Sequence, residues 1–270
     1  MLCRMIHVVT THVGSDRWVE PQRDRLERHT SEPYLTWAAL GGEAAKCADA
    51  FDNSFQSRGP IAPNFQYLAT EVGNAAHPHD LLVFLDGDAF PVADWTARVR
   101  GWLARRPLAA VRRDENLGDP QPHHLFCVTT VGFWNEIGGD WRGGPLWSTT
   151  TGRSTTDHGA RLWRTLVAGD IPWHPILRSN QVDLHPVWFG VYGGIVYHHG
   201  ASFRQGRRAC RWDGAQYAQL PGPSGRAARW VAERATSRLA DRLADRIAAG
   251  DEPIDELRGL RPTNSQIGGL

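Results

Sequence analysis

The chain has 270 residues, 41% of them apolar, and 30 Lys and Arg against 29 Asp and Glu, for a net charge of +1. That length and apolar fraction allow one large buried core with room for an appendage, which excludes a wholly disordered chain. The balanced charge gives no reason to expect nucleic acid as a partner.

In chain order, Met5 to Thr10 is apolar and β-branched and predicts a buried strand, with Ser15 or Asp16 placed to cap a following helix. Tyr34 to Leu40 predicts a second strand and Ala62 to Val72 a helix. The run His79 to Asp86 is continuously apolar from Leu81 to Leu85 and closes on a carboxylate, the pattern of a strand covered by helices on both faces. A helix over Asp94 to Arg105, strands over Leu108 to Arg112 and His124 to Thr130, a helix over Asp157 to Ala168 and a strand over Gly190 to His198 continue the alternation. The fold class expected is therefore α/β, with a mixed, mostly parallel sheet flanked by helices. Beyond Arg204 the character changes. Ser224 to Ala249 reads as an Ala- and Arg-rich helix stopped by Gly250, so the expected division is a domain over 1–205 and a C-terminal helical extension over 206–270.

Asp86-Gly87-Asp88 lies at the carboxyl end of the most apolar strand, which is where α/β sheets bind ligands. Carboxylates two residues apart on a strand face opposite ways, but Gly87 permits a sharp turn that lets both converge. Hard carboxylate oxygens suit Mg²⁺ or Mn²⁺, and such ions keep positions open for phosphate oxygens.

Further along stand Ile137-Gly138-Gly139-Asp140, then Thr156-Asp157 leading into Arg161-Leu162, then Tyr197-His198-His199-Gly200. In this order, after an apolar strand ending in DxD, they resemble the GT-A glycosyltransferases, nucleotide-diphospho-sugar transferases, especially of the inverting family-two type. The resemblance covers the middle two-thirds of the chain. It implies Mn²⁺ or Mg²⁺ as cofactor, a nucleotide-sugar donor with a UDP-sugar foremost, and a sugar or other hydroxyl acceptor. It further implies that Asp88 ligates the metal, that Asp86 contacts the ribose or the metal shell, and that His198 or His199 completes the coordination. Alternation along a strand aims these two histidines apart, so one of them reaches the ion, and the family pattern favours His198. Asp157 matches the acid that serves as general base, although Thr156 stands where the family carries a first acid. Thr10 and Asp52 are the expected further donor-nucleotide contacts, Asp52 matching the early Asp loosely.

Twelve tryptophans are many for this length. Trp134 and Trp141, with Asp140, are the acceptor candidates, since flat rings stack on sugar faces, although at least half of the tryptophans should be core. Along the C-terminal helix, Arg234, Arg238, Arg242 and Arg246 flank a stripe of Val231, Ala235, Leu239, Leu243 and Ile247. The pattern allows peripheral membrane association but favours a helix docked on the catalytic domain, since Glu233, Asp241 and Asp245 dilute the charge. Cys3, Cys47, Cys127 and Cys210 form no CxxC pair and are expected to be reduced, buried thiols. The opening MLCRMIHVVTT lacks a signal-peptide pattern and no apolar run is long enough to span a membrane, which gives a cytoplasmic expectation. A haloacid-dehalogenase-like phosphotransferase shares the strand-DxD opening, but Phe90 fits its motif poorly and Lys46, the single lysine, precedes the motif. A non-catalytic sugar-nucleotide or carbohydrate-binding relative is the other alternative.

Overall fold

The computed structural model describes residues 5–115, 118–149, 152, 154–180, 188–200 and 222–251. Strand β1 (Ile6–Gly14) leads into helix α1 (Val19–His29), β2 (Tyr34–Gly42), a 3-10 helix (Glu43–Ala50), β3 (Asn53–Gln56) and α2 (Ile61–Ala75). Then come β4 (Leu81–Asp86), β5 (Ala89–Pro91), α3 (Thr96–Leu103), β6 (Leu108–Val111), β7 (His123–Thr130) and α4 (Val131–Glu136). The short strands β8 (Trp147–Ser148) and β9 (Ser154–Thr155) precede α5 (Ala160–Ala168), β10 (His174–Ile176), β11 (Gly190–Tyr192), β12 (Val196–His198) and α6 (Gly222–Ala248).

Seven strands form the central sheet in the order β10-β6-β7-β4-β1-β2-β3. Only β7 is antiparallel to its neighbours, so the sheet is mixed and mostly parallel, as expected. Alternate residues of the apolar strands serve its two faces. Ile6, Val8, Val83 and Leu85 pack with Leu26, Trp95 and Val99 on one side. Val9, Leu82 and Phe84 pack with Phe65, Leu68, Val72 and Leu162 on the other. Both faces are thus covered, which is why β4 carries no polar residue before Asp86.

A second sheet, β11-β12-β5, is antiparallel. The segment from Gly190 to His198, expected as one strand, is a hairpin that turns at Gly193 and Gly194. Its second strand pairs with β5 so that His198 stands opposite Ala89. Helix α1 starts without the expected side-chain cap; the Val19 amide donates to the Asp16 carbonyl instead. Helix α5 begins three residues after Asp157.

Helix α6 docks through Leu243, Ala244 and Ile247 on a cluster containing Trp18, Phe90 and Tyr197, and Arg17 pairs with Asp245. Val231 and Trp230, farther toward its amino end, are exposed, so the apolar stripe is used only over its second half. The expected boundary near residue 206 lies outside the described residues, as do Cys3 and Cys210. Cys127 is buried and Cys47 half-buried, both as free thiols. No described helix is long and apolar enough to cross a membrane.

Candidate functional site

In the strand order β3-β2-β1-β4, the chain leaves β1 toward one edge and returns to β4 on the other side, so the carboxyl ends of β1 and β4 flank a topological switch point. A cavity of about 270 Å³ lies there. It is lined by Thr11, His12 and Val13 from β1, Ser15 and Trp18 before α1, Gly59, Pro60 and Ile61 at the start of α2, the Asp86-Gly87-Asp88 turn, and His158.

The turn is held by backbone contact and by one buried amide. A Cβ on Gly87 would lie 2.2 Å from the Thr11 carbonyl oxygen, so glycine is required here by close approach to β1. Gln22 of α1 donates from Nε2 to the carbonyls of Asp86 (2.8 Å) and Ala89 (2.7 Å), and its Oε1 meets His12 Nε2 at 3.0 Å. Burial pushes His12 down to about 4, so this ring is neutral and donates from Nε2 to the amide.

β12 delivers the third member of the group. The His199 amide donates to the Asp88 carbonyl at 3.0 Å, extending the β5–β12 pairing and placing His198 Nε2 3.3 Å from Asp88 Oδ1 and 3.8 Å from Asp86 Oδ2. Ligand atoms of Asp86, Asp88 and His198 all lie within 4.8 Å of one another, with Asp88 and His198 buried and Asp86 largely so. Burial and the neighbouring Asp88 push the Asp86 carboxyl up to about 7. Burial opposes protonation of His198, but Asp88 and Asp86 outweigh it and raise its pKa. Two converging carboxylates sharing charge with one imidazole form a donor set that fits a divalent cation such as Mn²⁺.

A second group of charged and imidazole side chains borders the first. Because β7 runs antiparallel to β4, its amino end reaches the carboxyl end of β4, and His124 Nδ1 comes to 3.7 Å from Asp86 Oδ2. His124 Nε2 lies 3.0 Å from His158 Nδ1. Arg113 is buried and bridges Asp119 (2.8 Å) and Asp157 (2.6 Å). Asp157 also accepts from the His158 amide at 2.8 Å, so both of its oxygens are engaged. Burial would raise the Asp157 pKa, but Arg113 outweighs it and lowers it. Asp157, expected as the general base, is paired with Arg113, and the next residue, His158, lines the cavity.

Other expectations are redirected. Thr10 is fully buried between Ala38 and Leu85, whereas Thr11 lines the cavity. Asp52 accepts from the Thr36 amide (2.8 Å) and hydroxyl (2.7 Å), toward the amino ends of β2 and β3, and is not among the residues lining the cavity. His199 turns away from the carboxylates; its Nδ1 meets the Tyr197 hydroxyl at 3.0 Å and its ring packs on Trp18 and Phe189. Trp134 and Trp141 are 2% and 0% exposed, stack on each other and pack on Phe84, so they are core and offer no face to an acceptor. Asp140 ties down Arg142 and Arg161. Lys46 is exposed beside Glu43.

Gln22, His12, Arg113, His124 and His158 were not legible as site residues. Their spacing matches no ligand pattern, and only the strand pairing brings them together. The one available signal was the adjacency of His158 to Asp157.

No family model matches the chain, and no curated protein matches it. Solved structures resemble parts of it. The WbbM bifunctional glycosyltransferase is 13% identical over 50% of this chain and 33% of its own, with a TM-score of 0.34. The glycosyltransferase GlyE of Streptococcus pneumoniae TIGR4 is 14% identical over 49% of this chain and 36% of its own, with a TM-score of 0.36. The galactosyltransferase LgtC, solved with donor and acceptor sugar analogues, is 9% identical over 63% of this chain and 73% of its own, with a TM-score of 0.37. The chain thus spans about a third of the length of the first two. Likenesses this distant identify no reaction.

Proposed function

We propose that the chain is a metal-dependent glycosyltransferase that moves a sugar from a nucleotide-diphosphate sugar to an acceptor hydroxyl with inversion. The observation that carries this reading is the convergence of Asp86, Asp88 and His198 beside a cavity at the switch point of the sheet. The ordered series of sequence motifs, from the DxD turn to the paired histidines, agrees with it.

Asp86, Asp88 and His198 would hold Mn²⁺ or Mg²⁺, and the ion when bound neutralises charge on a departing diphosphate. Gln22 and Gly87 keep the two carboxylates aimed together. The donor nucleotide occupies the cavity between the Thr11–Val13 strand end and the Gly59–Ile61 helix start, with Trp18 as its buried wall. The acceptor enters from the His158 side, opposite the leaving group, as an in-line displacement requires.

The direct test is thermal stabilisation by UDP, GDP and dTDP, each with and without Mn²⁺, because a ligand that binds only the native state raises its melting temperature. Stabilisation by at least one nucleotide, dependent on Mn²⁺, is expected, with UDP the first to try; none from any nucleotide would overturn the reading. Inversion is tested separately on the first product from an α-linked donor, whose anomeric proton coupling should report a β-linkage. An α-linked product would reject inversion and leave the metal site intact.

A further inference from the structure

On the cavity wall, His12 offers a ring nitrogen that the metal group does not use. We propose that His12 Nδ1 is the acceptor by which the site selects its nucleotide, taking a hydrogen bond from an O–H or N–H of the nucleoside. The donor is a ribose hydroxyl or the ring N–H of the base. This assignment rests on the sugar-transfer reading above.

Main-chain carbonyls decide which nitrogen of His12 owns its proton. One end of the buried Gln22 amide reaches the carbonyl oxygens of Asp86 and Ala89 at 2.8 and 2.7 Å. Both oxygens only accept, so that end is the NH₂; the reversed amide would set oxygen against oxygen twice. The other end is therefore Oε1, which also only accepts, and it lies 3.0 Å from His12 Nε2. His12 thus carries its proton on Nε2. Backbone oxygens start this series, so it holds whatever the charge on the Asp86 side chain. A second proton on the ring is disfavoured by position. The ring is buried against Phe51, and no carboxylate among the described residues forms an ion pair with it, in contrast to His124 and His198. A cation held by Asp86 and Asp88 would add positive charge nearby and disfavour it further. Nδ1 is left as a lone pair.

That lone pair is reachable. Nδ1 has no hydrogen-bond partner among the described residues, yet it is not sealed from solvent as the Nδ1 atoms of His124 and His198 are. A Cβ on Gly87 would come to 3.1 Å from it, so glycine in the turn also leaves this nitrogen uncovered. Val13, Trp18, Pro60 and Ile61 give the same cavity much apolar wall, where an unmatched lone pair is costly. A diphosphate oxygen at Nδ1 would set lone pair against lone pair. The diphosphate is therefore directed to the carboxylate turn and its ion, and a hydrogen-bond donor of the nucleoside to His12. A site built this way rejects an analogue that lacks the donor. His12 is the specificity-determining residue. Gln22 is the positioning residue, since the amide that holds the Asp86 and Ala89 carbonyls also fixes which nitrogen of His12 is bare.

The first arm of the test is ring-nitrogen NMR of the intact protein with Mg²⁺ at neutral pH, assigned with His12→Gln. The free protein should show a protonated Nε2 and a bare Nδ1, and bound UDP should move the Nδ1 signal toward the protonated range. A proton on Nδ1 in the free protein, or an Nδ1 signal that bound UDP leaves unmoved, would overturn the proposal. The second arm compares the affinity of UDP with that of its 2′-deoxy, 3′-deoxy and N3-methyl forms, or the matching analogues of GDP or dTDP where one of these is the nucleotide that binds. One analogue should bind roughly 5–50-fold more weakly and fail to move Nδ1. A deoxy form in that place identifies a ribose hydroxyl, and the N-methyl form identifies the base; equal affinity across the set would overturn the proposal. His12→Gln keeps an amide for Gln22 and removes Nδ1, so in this variant the discrimination should shrink to within about threefold. Discrimination that persists there also overturns the proposal, and if the variant does not fold, the Nδ1 spectrum of the parent with each analogue decides. Failure of UDP, GDP and dTDP all to bind rejects the sugar-transfer reading and this assignment together, whereas binding without an Nδ1 shift rejects the assignment alone.

Discussion

His198 Nε2 stands 3.3 Å from Asp88 Oδ1 because the next amide, that of His199, is hydrogen-bonded to the Asp88 carbonyl. One backbone bond thus sets the distance between two side chains far apart in sequence, and it assigns the paired histidines opposite duties.

His198→Ala and Asp88→Asn should therefore remove Mn²⁺-dependent stabilisation by the nucleotide while the fold persists. For a nucleotide present at a hundredfold its Kd, the loss is about 2.7 kcal/mol. His199→Ala should keep the metal dependence but cost roughly 2–4 kcal/mol of stability, since it empties a space beside Trp18 and Phe189 and strips the Tyr197 hydroxyl of its partner. Denaturation with and without Mn²⁺ separates the two. Loss of metal dependence in His199→Ala alone would reverse the assignment.

Asp86 gives a pH signature. Its folded-state pKa, raised to about 7 from 3.8, means that the metal-free native protein retains a proton that the unfolded chain releases. The stability so contributed is full below the unfolded value, is lost as pH rises to about 7, and is flat above it. Asp86→Asn mimics the protonated form, so its stability relative to the metal-free parent should rise between about pH 5 and pH 8. Urea denaturation in chelator at both pH values measures this, and a falling relative stability would contradict it.

Gly87→Ala should drive its methyl into the Thr11 carbonyl oxygen, costing about 1–3 kcal/mol and weakening Mn²⁺-dependent nucleotide binding. Gly101→Ala is the control. It lies in α3 with nothing within 4 Å of an added Cβ, and helix propensity should make it neutral or stabilising by up to about 1 kcal/mol. Melting temperatures of the two variants should move in opposite directions, and equal small shifts would show that the turn tolerates a side chain.

Trp134→Ala should cost about 3–5 kcal/mol, since the ring is buried against Phe84 and Trp141. A surface sugar platform would instead lose acceptor affinity at unchanged stability. The melting temperature distinguishes them.

The sequence by itself determined the α/β alternation, the apolar strand Leu81–Asp86 and the siting of the carboxylate pair at its end, because these depend on local periodicity and on a rule about strand ends. It also determined that His198 and His199 face apart, since strand alternation needs no partner. Only the tertiary structure decided which of the two faces Asp88, through the register of β12 on β5. The antiparallel course of β7 brought His124 to Asp86, and Arg113 drew Asp157 into an ion pair that left His158 on the cavity. Trp134 and Trp141 became core because the covered face of β4 had to be filled, which no spacing of aromatic and glycine residues could distinguish from a sugar platform. The difference is physical: patterning along one chain reports which face a residue takes, whereas burial, ion pairing and proton placement depend on segments that meet only when the sheets close.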